Sequence, residues 1–150
     1  MISGDFNEHE YRGIMFSYRD SLPFEKKQDE SIAWLYHIIE EHGYNVESLN
    51  YVFCNDEELY TINLEHLNHD TYTDIITFDY SDEDATIYSD IYISLERITE
   101  NASILEKTFD EELHRVLVHG VLHLLGYDDK TEDDKITMRE KENTCLSLRK

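Results

Sequence analysis

Apolar residues recur along the chain with two different periods, and the change from one to the other sets the predicted order of elements. Gly13-Ile14-Met15-Phe16-Ser17-Tyr18 is a short run of β-type residues. From about Glu25 to His42 the spacing becomes helical, and Gly43 is the expected stop. Ser48 to Cys54 alternates as a second strand. Asn55 then caps a helix with Glu58 at the capping-box position, running to about Leu67. Ile75 to Tyr80 and Ile87 to Ser94 are two further strands, rich in isoleucine, threonine and tyrosine, joined through the acidic turn Ser81-Asp82-Glu83-Asp84. From there the pattern is helical: Leu95 to about Leu105, then a helix capped by Thr108 with Glu111 three residues on, then a last helix capped by Thr131. The last helix carries Glu132, Asp133 and Asp134 in its first turn and is expected to carry basic residues at its end, as the helix dipole prefers. Strands first and helices later predict an α+β domain, a sheet of about four strands packed with five helices.

The helix after Thr108 differs from an ordinary amphipathic one. Leu113, Val116, Leu117, Val118, Val121, Leu122, Leu124 and Leu125 make it apolar almost all round, and His119 and His123 are set among them. Two histidines four apart share one face, one turn above the other. Buried imidazoles need partners, and a metal ion supplies one for each. Gly126 stands where a helix favours a left-handed residue, so the chain can turn back and offer a third ligand from the following loop. Asp128 and Asp129 are both within reach there, and either carboxylate suits zinc. Three protein ligands leave one position open, as in a catalytic rather than a structural zinc site.

The stretch from His119 to Asp129 closely resembles the signature of the YbeY family, the bacterial rRNA-maturation endoribonucleases, whose pattern is His-Gly-x-Leu-His-Leu-x-Gly-Tyr-Asp-His. Every specified position matches except the last, where Asp129 replaces the family's third metal-binding histidine and Asp128 matches the family's own aspartate. A second segment, Asn63 to Phe78, is similar to the family stretch that runs from a helix end through a loop into a strand, with Asp70, Thr73, Asp74 and Phe78 in register. Ser89-Asp90-Ile91-Tyr92-Ile93-Ser94 resembles the family's Gly-Asp-Ile-x-Ile-Ser strand, with Ser89 for the glycine. The resemblance runs over roughly residues 50 to 145. It implies one zincin-like, metal-dependent hydrolase domain over residues 1–150, with one zinc ion per chain held by His119, His123 and Asp129. The implied function is single-strand-specific endoribonuclease action in maturation of the 3′ end of 16S rRNA and in ribosome quality control. Single-stranded or ribosomal RNA and the small ribosomal subunit are the implied partners.

Two departures from the family pattern, and one from the pattern of metalloproteases, bear on mechanism. A carboxylate is a harder ligand than imidazole, so the site should discriminate less against manganese or iron than an all-histidine one. Where many family members carry an aromatic residue followed by an arginine, this chain has His66-Leu67. A guanidinium fork suits phosphate oxygens, so either Arg97, Arg115 or Lys130 takes over that task or phosphate handling depends more on the metal. Gly120 occupies the place of the glutamate in His-Glu-x-x-His proteases, which argues against peptide hydrolysis and leaves Asp70, Asp74 and Asp128 as candidates for catalytic or positioning work. His66 and His69 read as solvated loop residues rather than a second metal site, and His9, His37, His42 and His114 as surface or partly buried residues without chemistry. Cys54 and Cys145 read as reduced, structural thiols.

Composition adds one tension. The 150 residues include one proline and five glycines, with no linker or repeat, as expected of a single domain. Thirty-four acidic residues against thirteen basic ones give a net charge of −21, which repels a polyanion at long range. RNA would therefore be met locally, and Lys130, Lys135, Arg139, Lys141, Arg149 and Lys150 make the C-terminal helix the basic-rich region. The acidity and the missing arginine keep open a second function, a ribosome-assembly factor whose metal mainly orders the loop and whose own catalysis is slight. Met1 to Phe6 lacks the basic start and apolar run of a signal peptide, and no apolar stretch approaches the roughly 20 residues that span a bilayer. A cytoplasmic protein without membrane contact is the expectation.

Overall fold

The computed structural model describes residues 13–18, 28–67 and 74–149. Four strands, β1 (Ile14–Tyr18), β2 (Asn45–Cys54), β3 (Ile75–Asp79) and β4 (Thr86–Ser94), form one sheet in the order β1-β2-β4-β3. The first three in that order run parallel, and β3 lies antiparallel on β4. Parallel neighbours need long crossovers. Helix α1 (Gln28–Glu41) supplies one, and α2 (Asp56–Leu67) lies within the other. Helices α3 (Leu95–Leu105), α4 (Phe109–Leu124) and α5 (Glu132–Ser147) complete an α+β fold with four strands and five helices among the described residues, as the pattern predicts.

Strand alternation gives the sheet two apolar faces. Phe16, Tyr51 and Ile91 point to one of them and join Leu35 and Ile39 of α1 with Leu117 and Val121 of α4 in the main core. Cys54 and Ile76 point to the other, against Leu59 of α2. Between sheet and α4 the fit is close. A Cβ at Gly120 would lie 3.0 Å from Ile91 Cδ1 and 3.1 Å from Ile75 Cδ1. One turn earlier, the buried Tyr51 hydroxyl donates to the Leu117 carbonyl at 2.7 Å, and burial pushes its pKa well up. Helix and sheet are thus joined by close packing and a buried hydrogen bond.

Several boundaries differ from the sequence pattern for local reasons. β2 begins at Asn45 rather than Ser48, because a register shift between Val46 and Ser48 interrupts the alternation. Helix α1 begins at Gln28, and the expected start at Glu25 falls outside the described residues. β3 ends at Asp79, whose carboxylate accepts from Ser81 N and starts the acidic turn. The expectation of basic residues at the end of α5 is corrected: its last turn has none, and Arg149, beyond the helix, pairs instead with Asp110 at 2.7 Å.

His114 is also corrected, from surface or partly buried to fully buried, at 1 % exposure. Its ring is satisfied at both ends, Nδ1–H donating to the Asp110 carbonyl at 2.8 Å and Nε2 accepting from Ser31 Oγ at 2.7 Å. Cys54 and Cys145 are buried thiols, and burial raises the Cys145 thiol above its ordinary pKa. Among the described residues, no helix is long and apolar enough to cross a membrane.

Two outcomes follow from these contacts. Gly120→Val should lower the urea-unfolding free energy by about 1–3 kcal/mol through overpacking against Ile91 and Ile75. The cap of α4 is pH-dependent, since the backbone N–H of Thr108 holds the Glu111 carboxyl below the usual 4.5. That contribution is present above the ordinary pKa and is lost as pH falls through the lowered folded value. Glu111→Gln keeps both cap bonds without the charge, so the stability difference between wild type and variant should close as pH falls through that value in acid titrations of unfolding.

Candidate metal centre

Helix α4 stops where its two histidines can be joined by a loop residue. Leu125 is the C-cap, and Gly126, at φ +105°, takes the left-handed conformation that L side chains avoid. Tyr127 N then donates to Leu122 O and Gly126 N to His123 O, both at 3.0 Å, the paired bonds of a Schellman motif. The chain reverses, and Asp129 returns beside the helix.

Asp129 Oδ2 lies 3.4 Å from His119 Nε2 and 3.5 Å from His123 Nε2. The ligand atoms of the three residues all fall within 4.8 Å of one another, and each residue is partly exposed. These separations are long for hydrogen bonds. They are those of a tetrahedron's edges, since bonds of about 2.0–2.1 Å to zinc put neighbouring ligand atoms about 3.3–3.4 Å apart. The two imidazole planes stand 83° apart with centroids at 4.7 Å, edge to face rather than stacked, and both Nε2 atoms approach the same Asp129 oxygen. A donor set of two imidazoles and one carboxylate fits zinc, with solvent access left for a fourth ligand.

The sequence pattern did not single out Glu142. Its carboxylate, 2 % exposed, accepts from His119 Nδ1–H at 2.7 Å. Its other oxygen faces Arg115 Nη1 at 3.3 Å and Arg139 Nε at 3.4 Å. Arg115 is gripped in turn by the buried Glu112. Burial alone would lower the Arg115 pKa, but Glu112 and Glu142 outweigh it and hold the guanidinium above its ordinary value. A signal was present in the spacing: Met138, Glu142 and Cys145 fall on one buried face of α5, where an acid needs a reason.

The other candidates are dispersed. Asp128 is exposed and outside the group of three. Asp74 precedes β3, where its carboxylate accepts from Asn101 Nδ2 at 3.4 Å, and it is not part of that group either. Asp70, Thr73 and His69 lie outside the described residues, as do the side chains of His66 and Leu67. Of the three bases weighed as replacements for the family arginine, Arg97 is paired with Asp56 and Glu100, at 2.7 and 3.0 Å. Arg115 is held by Glu112 and Glu142. Lys130 is exposed and follows Asp129 directly.

A helix seated on a mixed sheet, with two histidines one turn apart and a carboxylate returned by the next loop, defines a zincin-like, metal-dependent hydrolase domain. Residues 18–149 match the family model described as endoribonuclease YbeY. The chain belongs to the YbeY family. It is 46 % identical over 137 residues to a protein of Cytophaga hutchinsonii named endoribonuclease YbeY, covering 91 % of this chain and 96 % of the relative. The corresponding Christiangramia forsetii protein, of the same name, is 49 % identical over 135 residues, covering 90 % and 93 %. The solution structure of TM1509 from Thermotoga maritima superposes with a TM-score of 0.65 at 28 % identity, covering 89 % of this chain and 87 % of that one.

The convergence on Asp129 rather than Asp128 makes a direct prediction. In competition with a chromophoric chelator, Asp129→Ala should lose zinc binding while Asp128→Ala keeps it. Asp129→His should bind zinc in stronger preference to manganese than the wild type does, since imidazole is the softer ligand.

Proposed function

We propose that this chain is a zinc-dependent endoribonuclease that cleaves single-stranded RNA. The substrate in the cell is the 3′ end of 16S rRNA, in maturation and ribosome quality control on the small subunit in the cytoplasm. The observation that carries the reading is the convergence of His119, His123 and Asp129 at zinc-like spacing. Membership of the YbeY family over residues 18–149 supports RNA as the substrate and one domain as the working unit.

His119, His123 and Asp129 would hold the zinc ion, which would supply Lewis-acid activation of water and of the phosphodiester. The chain supplies the rest. His119 and His123 are fixed by the seating of α4, and Asp129 by the turn at Gly126. Position 120 faces Ile91 and Ile75, so the close packing leaves no space for a carboxylate there without local rearrangement. Its absence supports phosphodiester rather than peptide chemistry. Lys130, exposed and next in sequence to the proposed ligand Asp129, is the proposed partner of a phosphate of the bound strand.

The second reading, an assembly factor with a mainly structural metal, is favoured by the net charge of −21 and by the pairing of Arg97, Arg115, Arg139 and Arg149 with acids. A cleavage assay separates the two. Zinc-loaded wild type should cut single-stranded RNA and spare duplex RNA, whereas His123→Ala and chelated wild type should fall to background. Unchanged cleavage by His123→Ala would sink the metal-nuclease reading. A folded, zinc-binding wild type that does not cut would select the assembly role. If Lys130 contacts phosphate, Lys130→Ala should bind RNA more weakly and reduce the slope of log affinity against log salt by about 0.7 in magnitude, the value for one single-strand contact.

A further inference from the structure

We infer that Glu142 is a positioning residue for the metal centre: it fixes the tautomer and ring orientation of His119 and ties the centre to α5. The inference rests on the zinc reading of the site. A carboxylate only accepts, so the 2.7 Å contact puts the proton of His119 on Nδ1 and leaves the lone pair of Nε2 directed toward Asp129, 3.4 Å away. Outer carboxylates of this kind orient metal-binding histidines and raise their basicity.

Three features separate this role from incidental packing. Glu142 is 1 % exposed in a chain with many acids at its surface, and its neighbours on the buried face of α5 are Met138 and Cys145. Packing alone would favour an apolar side chain there, because a buried carboxylate is costly to desolvate. The two oxygens have different tasks. Oε1 faces Arg115 and Arg139, while Oε2 is directed to His119. Glu112 grips Arg115 from the opposite side, so the cation that balances Glu142 is itself held in place. The chain of contacts runs from Glu112 through Arg115 and Glu142 to His119, linking α4, α5 and the metal centre.

The test uses the full chain and zinc alone, without RNA. Zinc affinity is measured by chelator competition for wild type, Glu142→Gln and Glu142→Ala, with circular dichroism to establish that each is folded. Affinity should fall about tenfold in the glutamine variant and up to about 100-fold in the alanine variant. In zinc-loaded wild type, ¹⁵N chemical shifts should show His119 protonated at Nδ1 and metal-bound through Nε2. The shifts do not depend on any variant folding, and metal bound through Nδ1 would overturn the inference at once. Equal zinc affinity in folded wild type and both variants would overturn it as well. A wild type that binds no zinc would instead remove the reading on which it rests, so the two failures are distinguishable.

Discussion

The close seating of α4 on the sheet is the constraint from which the site follows. Gly120 lets Ile91 and Ile75 approach the helix backbone, and the Tyr51 hydroxyl fixes the depth by reaching the Leu117 carbonyl. That contact removes the helix from the solvent and settles which of its faces is left partly open, the one carrying His119 and His123. A rotation of the helix by one residue, about 100°, would turn both imidazoles away from the loop that ends at Asp129. Hydrophobic packing thus sets the geometry of a polar centre. Such packing is stiff, because interiors filled to crystal-like density resist small displacements.

Electrostatics divides between surface and interior. The net charge of −21 draws small cations toward the protein and holds polyanions off. Inside, the acids Glu112 and Glu142 are balanced by Arg115 and Arg139, and their oxygens accept hydrogen bonds from Arg115 and His119. Arginines that could pair with phosphate are engaged with carboxylates of the fold itself: Arg97 with Asp56, Arg149 with Asp110. The protein therefore offers a polyanion few unengaged guanidinium groups among its described residues.

Much of the fold was legible because local signals agreed with the final packing. The capping boxes at Asn55, Thr108 and Thr131, the glycine that ends α4 and the β-branched runs of β3 and β4 each specify their element from a few neighbouring residues. The candidate metal ligands His119 and His123 were legible for the same reason, lying one turn apart on one helix, whereas spacing left Asp128 and Asp129 open in the loop that follows and the family resemblance chose Asp129. Other features were hidden by their range. The beginning of β2 depends on pairing with β4 across a bulge, and the burial of His114 depends on Ser31, far away in sequence. Glu142 looked like one acid among many on a polar helix, and only the packing of α5 on α4 sets it against His119.

The turn at Gly126 has one more consequence, for the folding equilibrium. It allows all three proposed ligands to come from the eleven residues between His119 and Asp129, inclusive. Closing so short a loop has a small entropic cost, so the denatured ensemble also retains a local chelating segment. A ligand stabilises a fold only by the difference between its affinities for the native and denatured states. Zinc should therefore raise the stability of this domain by less than its native affinity alone suggests, and the part that does appear reports on what the folded state adds: the helical register of the histidines and their setting against the sheet and α5.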